Sequence, residues 1–501
     1  AIGGVIQIFT RHGRADGAQT LSNPLPSLSM TAGSHGLFGS QAGLSGGDAH
    51  AWYNVSLGGE YTSGFPACKY GAAEADGGFG AGCYVDDARD DAYRNWNGSA
   101  NAGYRWDNGT ELAFTWLRSK NDVEFAGSPY GGNSAVNQQE VAGARLSFSP
   151  LDAWQVTLNA GQSRDDSQTY YQGTYYGEYY PRAPVYYTNS RRNQASWQND
   201  ISLATNQLLT VGVDYQQENL ASDVGYLASS VGDTGTFAQY QGTFGQNELQ
   251  LSARHDNNGQ FGGHDTGGIA WGYHFDHGLR LSASYGTAFH APTFNDLYYP
   301  PYYGAPSANP DLKPEKSRSG ELDLAQELDS WNWALSAYRT DIDQLITLDA
   351  AENYLPFNLG SARIRGLEAQ LGTTIAGWQV QGYLTLQQPE DDGGASDADN
   401  GNLLPRRPER MARIDIDRRF GAFGVGTTWY AAGKSYDDIA NQHRLGGYST
   451  LALRASWHFA SDWQVEAKLA NAFDHDYETA YYYNQPGRTW YLTLRYSPAL
   501  H

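Results

Sequence analysis

From Thr489 to Tyr496 the chain alternates without a break. Trp490, Leu492, Leu494 and Tyr496 fall on one side, and Thr489, Tyr491, Thr493 and Arg495 on the other. A period of two is the signature of a β-strand. A strand in a soluble sandwich must turn its apolar side toward a protein core. Here the polar side holds a tyrosine and an arginine, which suits a wet interior. The apolar side begins and ends with aromatics, the residues favoured at a membrane–water interface. These properties together are the strand code of a transmembrane β-barrel, apolar to lipid and polar to lumen.

The same code recurs upstream. Trp154, Val156, Leu158 and Ala160 alternate with Gln155, Thr157 and Asn159, and Leu279, Leu281, Ala283 and Tyr285 with Arg280, Ser282 and Ser284. Trp331, Trp333 and Leu335 follow suit, as do Leu451 to Phe459 and Trp463 to Leu469. In the last of these, Glu466 and Lys468 share the inner side, where a watery lumen tolerates charges that lipid would not. Connections alternate between short turns (150–152, 276–278, 328–330, 460–462) and long loops (63–92, 165–186, 217–232, 287–313, 387–403, 474–486). Trp154, Trp331, Trp378 and Trp463 each stand just past a short turn and would form one aromatic girdle. A β-propeller also has many short strands, but it would show a blade repeat, and none is found. Counting strands between connections gives about 22, a width at which a barrel lumen is normally plugged.

Composition agrees. A soluble chain of 501 residues would suggest several domains, yet no shift in composition divides this one. No run of about 18 apolar residues offers a transmembrane helix. The mean hydropathy of −0.58 is no obstacle, since only alternate residues of a barrel meet lipid. A net charge of −21 argues against nucleic acid as a partner. Cys68 and Cys83, the two cysteines, lie in one polar loop segment and read as a local disulfide of an oxidising compartment, the alternative being two free thiols.

Two kinds of cluster carry chemistry. Asp86, Asp87, Asp90 and Asp91 crowd four carboxylates into the first long loop, where a hard cation such as calcium would relieve their repulsion; a solvated acidic loop is the bland alternative. The next loop could add only Asp122 and Glu124. Tyrosines gather in three outer loops: Tyr170, Tyr171, Tyr175, Tyr176, Tyr179 and Tyr180; Tyr298, Tyr299, Tyr302 and Tyr303; and Tyr481, Tyr482 and Tyr483. Tyrosine offers a flat apolar face and a hydroxyl at low entropic cost, which suits a large ligand with apolar and amide edges. Residues facing lipopolysaccharide would look similar. Arg406, Arg407 and Arg410 with Glu409 read as lumenal ion pairs. No HExxH, nucleophile elbow or phosphate loop is present, so no enzyme is expected.

Three stretches resemble TonB-dependent outer-membrane receptors. Ala1 to Ile8 (AIGGVIQI) is similar to the last strand of their plug. Asn309 to Ser317 (NPDLKPEKS), following Ser284 to Pro292, and Asn358 to Glu368 (NLGSARIRGLE) are similar to their mid-barrel signatures. Within the family, Arg254 to His264 and Asn471 to Arg488 look most like cobalamin transporters. The resemblance implies an integral outer-membrane monomer of a Gram-negative bacterium, surrounded by lipid and lipopolysaccharide. It further implies import of a corrinoid energised by TonB, with calcium held by loop aspartates. It divides the chain into a plug remnant (1–13), a linker (14–26) and the barrel (27–501), the rest of the plug and the TonB-contacting segment lying outside the sequence. The alternatives are a siderophore receptor or, from other classes, a passive channel or an outer-membrane hydrolase.

Overall fold

The computed structural model describes residues 21–69, 79–80, 83–84, 87–301, 306–348, 355–394 and 397–498. Within them the chain forms one 22-stranded sheet, each strand antiparallel to its neighbours in sequence. The sheet closes because the first strand, Leu21–Gly33, pairs both with the second, Leu37–Gly47, and with the last, Thr489–Tyr496. Closure removes the two edges that an open sheet would expose, as a membrane requires. The segment 1–13 expected to end a plug lies outside the described residues. The expected linker 14–26 overlaps the barrel, since the first strand already begins at Leu21. Pro24 is accommodated there because the pairing shifts register between Leu21 and Leu25, a place where a missing N–H disturbs no ladder.

Side-chain parity stays in phase round the whole cylinder. Phe423, Val425, Trp429, Leu453, Trp457, Trp490 and Leu492 are exposed on the outside, whereas Thr489 of the same last strand is buried within. A continuous apolar outer surface of this kind has lipid as its partner. Inside, charge meets charge: Arg254 bridges Asp214 (2.7 Å) and Asp256 (2.6 Å), Arg413 holds Asp415 (2.6 Å), and Arg454 holds Asp417 (2.8 Å). Glu466 lies 3.5 Å from Arg495, and the Lys468 ammonium sits over the Tyr491 ring, so the inner placement expected for these charges holds.

The two ends differ. At one, turns are short, and Trp154, Trp331, Trp378 and Trp463 are each the first residue of a strand, forming the expected girdle. At the other, the strands run on past any bilayer before turning. About 9–11 residues suffice to span, but Glu178–Ala204 has 27. This corrects two expected loops. Residues 165–186 are a tall hairpin, Trp154–Tyr175 against Glu178–Ala204, because each strand supplies the other's hydrogen bonds beyond the membrane. Likewise 217–232 shrinks to a connection between Gln207–Ser222 and Ser230–Phe244.

At the barrel-closing seam the inward hydroxyls of Thr31 and Thr493 hydrogen-bond at 2.9 Å. Thr493→Val keeps the shape and removes that bond, so it is expected to lower stability by about 1 kcal/mol. Urea unfolding of the full-length protein in lipid vesicles measures this. An unshifted midpoint would mean the seam rests on its backbone ladder alone.

Candidate functional site

The loop-rich end is held together by contacts between loops far apart in sequence. Cys68 and Cys83 are disulfide-bonded and buried, with Ala126, Tyr482 and Tyr483 packed against them. The backbone continues the contact: Lys69 N–H donates to the Tyr482 carbonyl (2.9 Å) and Asn484 N–H to that of Ala67 (2.8 Å). The Asn484 amide donates to the carbonyls of Pro66 (3.0 Å) and Cys68 (3.1 Å), and Lys69 Nζ lies 2.7 Å from Glu478. The first long loop is thereby stitched to the last.

The acidic cluster beside this disulfide does not converge. Arg89 takes Asp87 through Nη2 (2.7 Å) and Nε (2.9 Å). Asp91 accepts from the Ala67 N–H at 2.8 Å, and burial pushes its carboxyl up despite that bond. Asp90 faces solvent, and Asp86 lies outside the described residues. Among the described residues no three His, Cys, Asp or Glu side chains gather where they could hold a metal. The compensating cation in the described part of this loop is the Arg89 guanidinium.

The tyrosines fall into separate stations round the rim. On the tall hairpin, Tyr171 is buried against Tyr180 (centroids 5.8 Å apart), Arg182 stacks over Tyr170 (4.2 Å), and Tyr176 stands exposed at the tip beside Tyr175. Farther round the rim the short helix Phe294–Tyr298 is started by a capping box between Thr293 and Asp296. It presents Tyr298 to the Gln260 amide and is followed by Tyr299, whose ring meets Tyr226 at 5.6 Å. Tyr302 and Tyr303 lie outside the described residues. The Tyr481 and Tyr482 rings meet, tilted, at 4.2 Å, with the His443 ring 4.8 Å from Tyr481. Burial pushes the hydroxyls of Tyr226 and Tyr299 above the usual tyrosine range, and that of Tyr226 donates to the Asn295 side chain.

Sequence reasoning missed three features here. Tyr430, Tyr448 and Tyr477 form a ring cluster at the top of the lumen, Tyr448 stacked on Tyr477 at 4.2 Å and Tyr430 tilted against Tyr448 at 5.9 Å. Inward parity of Tyr430 and Tyr448 in their strands was the available signal. Ile342, Leu345, Leu359, Ala362, Leu404 and Ile439 build a small buried core in the rim itself, drawn from the tops of two adjoining strands and from two connections. Arg406, expected in a lumenal pair, instead spans two loops to Asp437 at 2.6 Å, and Asp437 also accepts the Tyr481 N–H. Further bonds join Asn441 to Leu403, Asn309 to Pro356 and to Asp296, and Tyr226 to Asn295. The rim is a linked belt, its upward face studded with tyrosine. Such a mouth can clasp one large ligand by stacking and by neutral hydrogen bonds.

Residues 76–472 match the family model for "TonB dependent receptor-like, beta-barrel". The chain is 26% identical, over 99% of its length and 76% of the relative's, to the vitamin B12 transporter BtuB of Photobacterium profundum. Among solved structures it is similar to the copper transporter OprC (TM-score 0.77, 16% identity, 96% of this chain and 80% of that one). It is also similar to a ferric enterobactin receptor mutant (PfeA) of Pseudomonas aeruginosa solved with enterobactin (TM-score 0.78, 17% identity, 96% and 82%). At those identities the structural likenesses speak for the fold.

Proposed function

Since the chain belongs to the TonB-dependent receptor β-barrel family, it is an integral outer-membrane transporter of a Gram-negative bacterium, and we propose that its cargo is cobalamin or a related corrinoid. TonB is the energising partner of such receptors. The observation that carries the cargo is the placement of Asn471 to Arg488, the stretch most like cobalamin transporters. It is the loop clamped to the disulfide, and it turns Tyr481 and Tyr482 into the rim. A corrinoid is a broad macrocycle fringed with amides. Tyrosine faces cover its plane, and neutral hydroxyls and backbone groups meet its edge without the desolvation that charged groups would require. The full-length similarity to a vitamin B12 transporter supports the same choice.

Calcium belongs to this proposal only as what the family resemblance implies. The described carboxylates do not form a donor set, because Arg89 has taken Asp87, so no step of uptake is derived through a metal. In the cargo mechanism these residues order the first loop, and the loop positions tyrosine.

Cells lacking their own cobalamin and siderophore receptors, given the full-length gene, are expected to accumulate radiolabelled cyanocobalamin saturably and only while TonB is present. Accumulation of ferric enterobactin in its place would overturn the cargo. Steady conductance of the full-length protein in planar bilayers would point to a passive channel.

A further inference from the structure

The outer face of the tall hairpin and its neighbours carries a feature that transport does not use. Across four adjacent strands, Glu111–Ser128, Gly132–Leu151, Trp154–Tyr175 and Glu178–Ala204, one register row reads Arg118, Glu140, Arg164, Arg191. All four residues share the outward parity of Phe114, Trp116 and Leu158. Arg164 and Arg191 are direct cross-strand partners, an arrangement of like charges that destabilises a sheet. Among the described residues no ion pair relieves either, Asp166 standing one register row above them on the same face. Arg118 donates to the Gln138 amide oxygen (2.7 Å) and Arg164 to that of Gln162 (2.6 Å), and no ion pair engages Arg118, Arg164 or Arg191 among the described residues. Glu140, the single carboxylate of the row, accepts from the Trp116 indole at 3.4 Å. By contrast Arg192, pointing into the lumen, is ion-paired with Glu218.

The height of the row is fixed by the girdle. Arg164 lies ten residues on from Trp154 in the same strand, and about 9–11 tilted residues cross a bilayer. The arginines therefore stand at the headgroup level of the outer leaflet. Immediately below them, the outer face holds a groove of about 530 Å³ floored by Ala142, Ala144 and Ala160 and walled by Phe114 and Trp116. Neighbouring strands lie about 4.8 Å apart, so Arg118 and Arg191, three strands apart, span about 14 Å.

We infer that this row and groove form a site for a phosphorylated, multiply acylated glycolipid of the outer leaflet. An acyl chain lies in the alanine-floored groove, one phosphate lies between Arg164 and Arg191, and a second lies toward Arg118. A disaccharide phosphorylated at both ends matches a long row better than a single-phosphate glycerolipid does. Guanidinium forks suit phosphate oxygens bidentately, and the anion converts the repulsion between Arg164 and Arg191 into a shared contact. The site lies outside the barrel, so it stands or falls independently of the cargo.

Full-length protein in detergent, titrated with bisphosphorylated lipid A, the monophosphorylated form and phosphatidylglycerol and read by native mass spectrometry, tests this. The bisphosphorylated form is expected to bind at least about tenfold more tightly than either of the others, and the double variant Arg164→Gln, Arg191→Gln to lose about tenfold of that affinity. Arg192→Gln, inside the lumen, should leave it unchanged. A heat-modifiable gel shift confirms that each variant barrel is folded. Equal affinity for the three lipids, or an unaltered affinity in the folded double variant, would overturn the site.

Discussion

Leu404→Asp is expected to remove high-affinity cobalamin binding while leaving the barrel intact. Leu404 is fully buried in the rim core with Ile439, Leu359, Leu345 and Ile342, away from the membrane ladder. A carboxylate there has no partner, and burying it costs more than about 4 kcal/mol, enough to favour opening of the rim over tolerating the charge. If the clasp needs that core, the dissociation constant rises about a thousandfold. Equilibrium binding of cyanocobalamin to the full-length protein measures the change, with far-ultraviolet circular dichroism and heat modifiability reporting on the barrel. Leu404→Met, which conserves volume, should bind like the parent. Parental affinity in the aspartate variant would show that the ligand does not depend on the belt of loops.

The paired substitution Cys68→Ser, Cys83→Ser has the next largest effect. The disulfide closes a loop of 15 residues, and in the chain-entropy model such a constraint contributes about 3 kcal/mol. Removing it frees the first long loop from the platform formed by Tyr482 and Tyr483. Trypsin cleavage after Lys69 is expected to accelerate about a hundredfold, in the range of 3 kcal/mol of lost protection. Adding reductant to the parent protein should produce the same change. An unchanged rate would assign the clamp to the Lys69–Glu478 and Asn484 contacts instead.

The barrel was legible because its code is local. Alternation in Thr489–Tyr496 and tryptophans placed just after short turns depend on residues adjacent in sequence, and both reappear in the fold. The tall hairpin is hidden in the sequence because Gly173, Gly177, Pro181 and Pro184 are turn and breaker residues. In the structure each strand of the hairpin carries the other, and register shifts between Tyr180 and Ala183 and between Pro184 and Tyr186 absorb the prolines. The mouth was legible only in its ingredients. Tyrosine-rich segments and the cysteine pair stood out, but the rim is made by contacts such as Lys69 to Glu478 and Arg406 to Asp437, which no spacing foretells. The acidic cluster shows the same limit. A count of carboxylates does not say that Arg89, standing among them, engages Asp87.

The seam between Leu21–Gly33 and Thr489–Tyr496 also dictates when this protein can come into being. During synthesis the first strand waits for a second neighbour made hundreds of residues later, so no cylinder, and no clasp stitched from loops so far apart, exists until Thr489–Tyr496 has been made. Contacts of such long sequence separation form slowly. A product that stops short of Thr489 would carry two bare edges into the periplasm, where quality-control proteases and aggregation compete for unpaired strands.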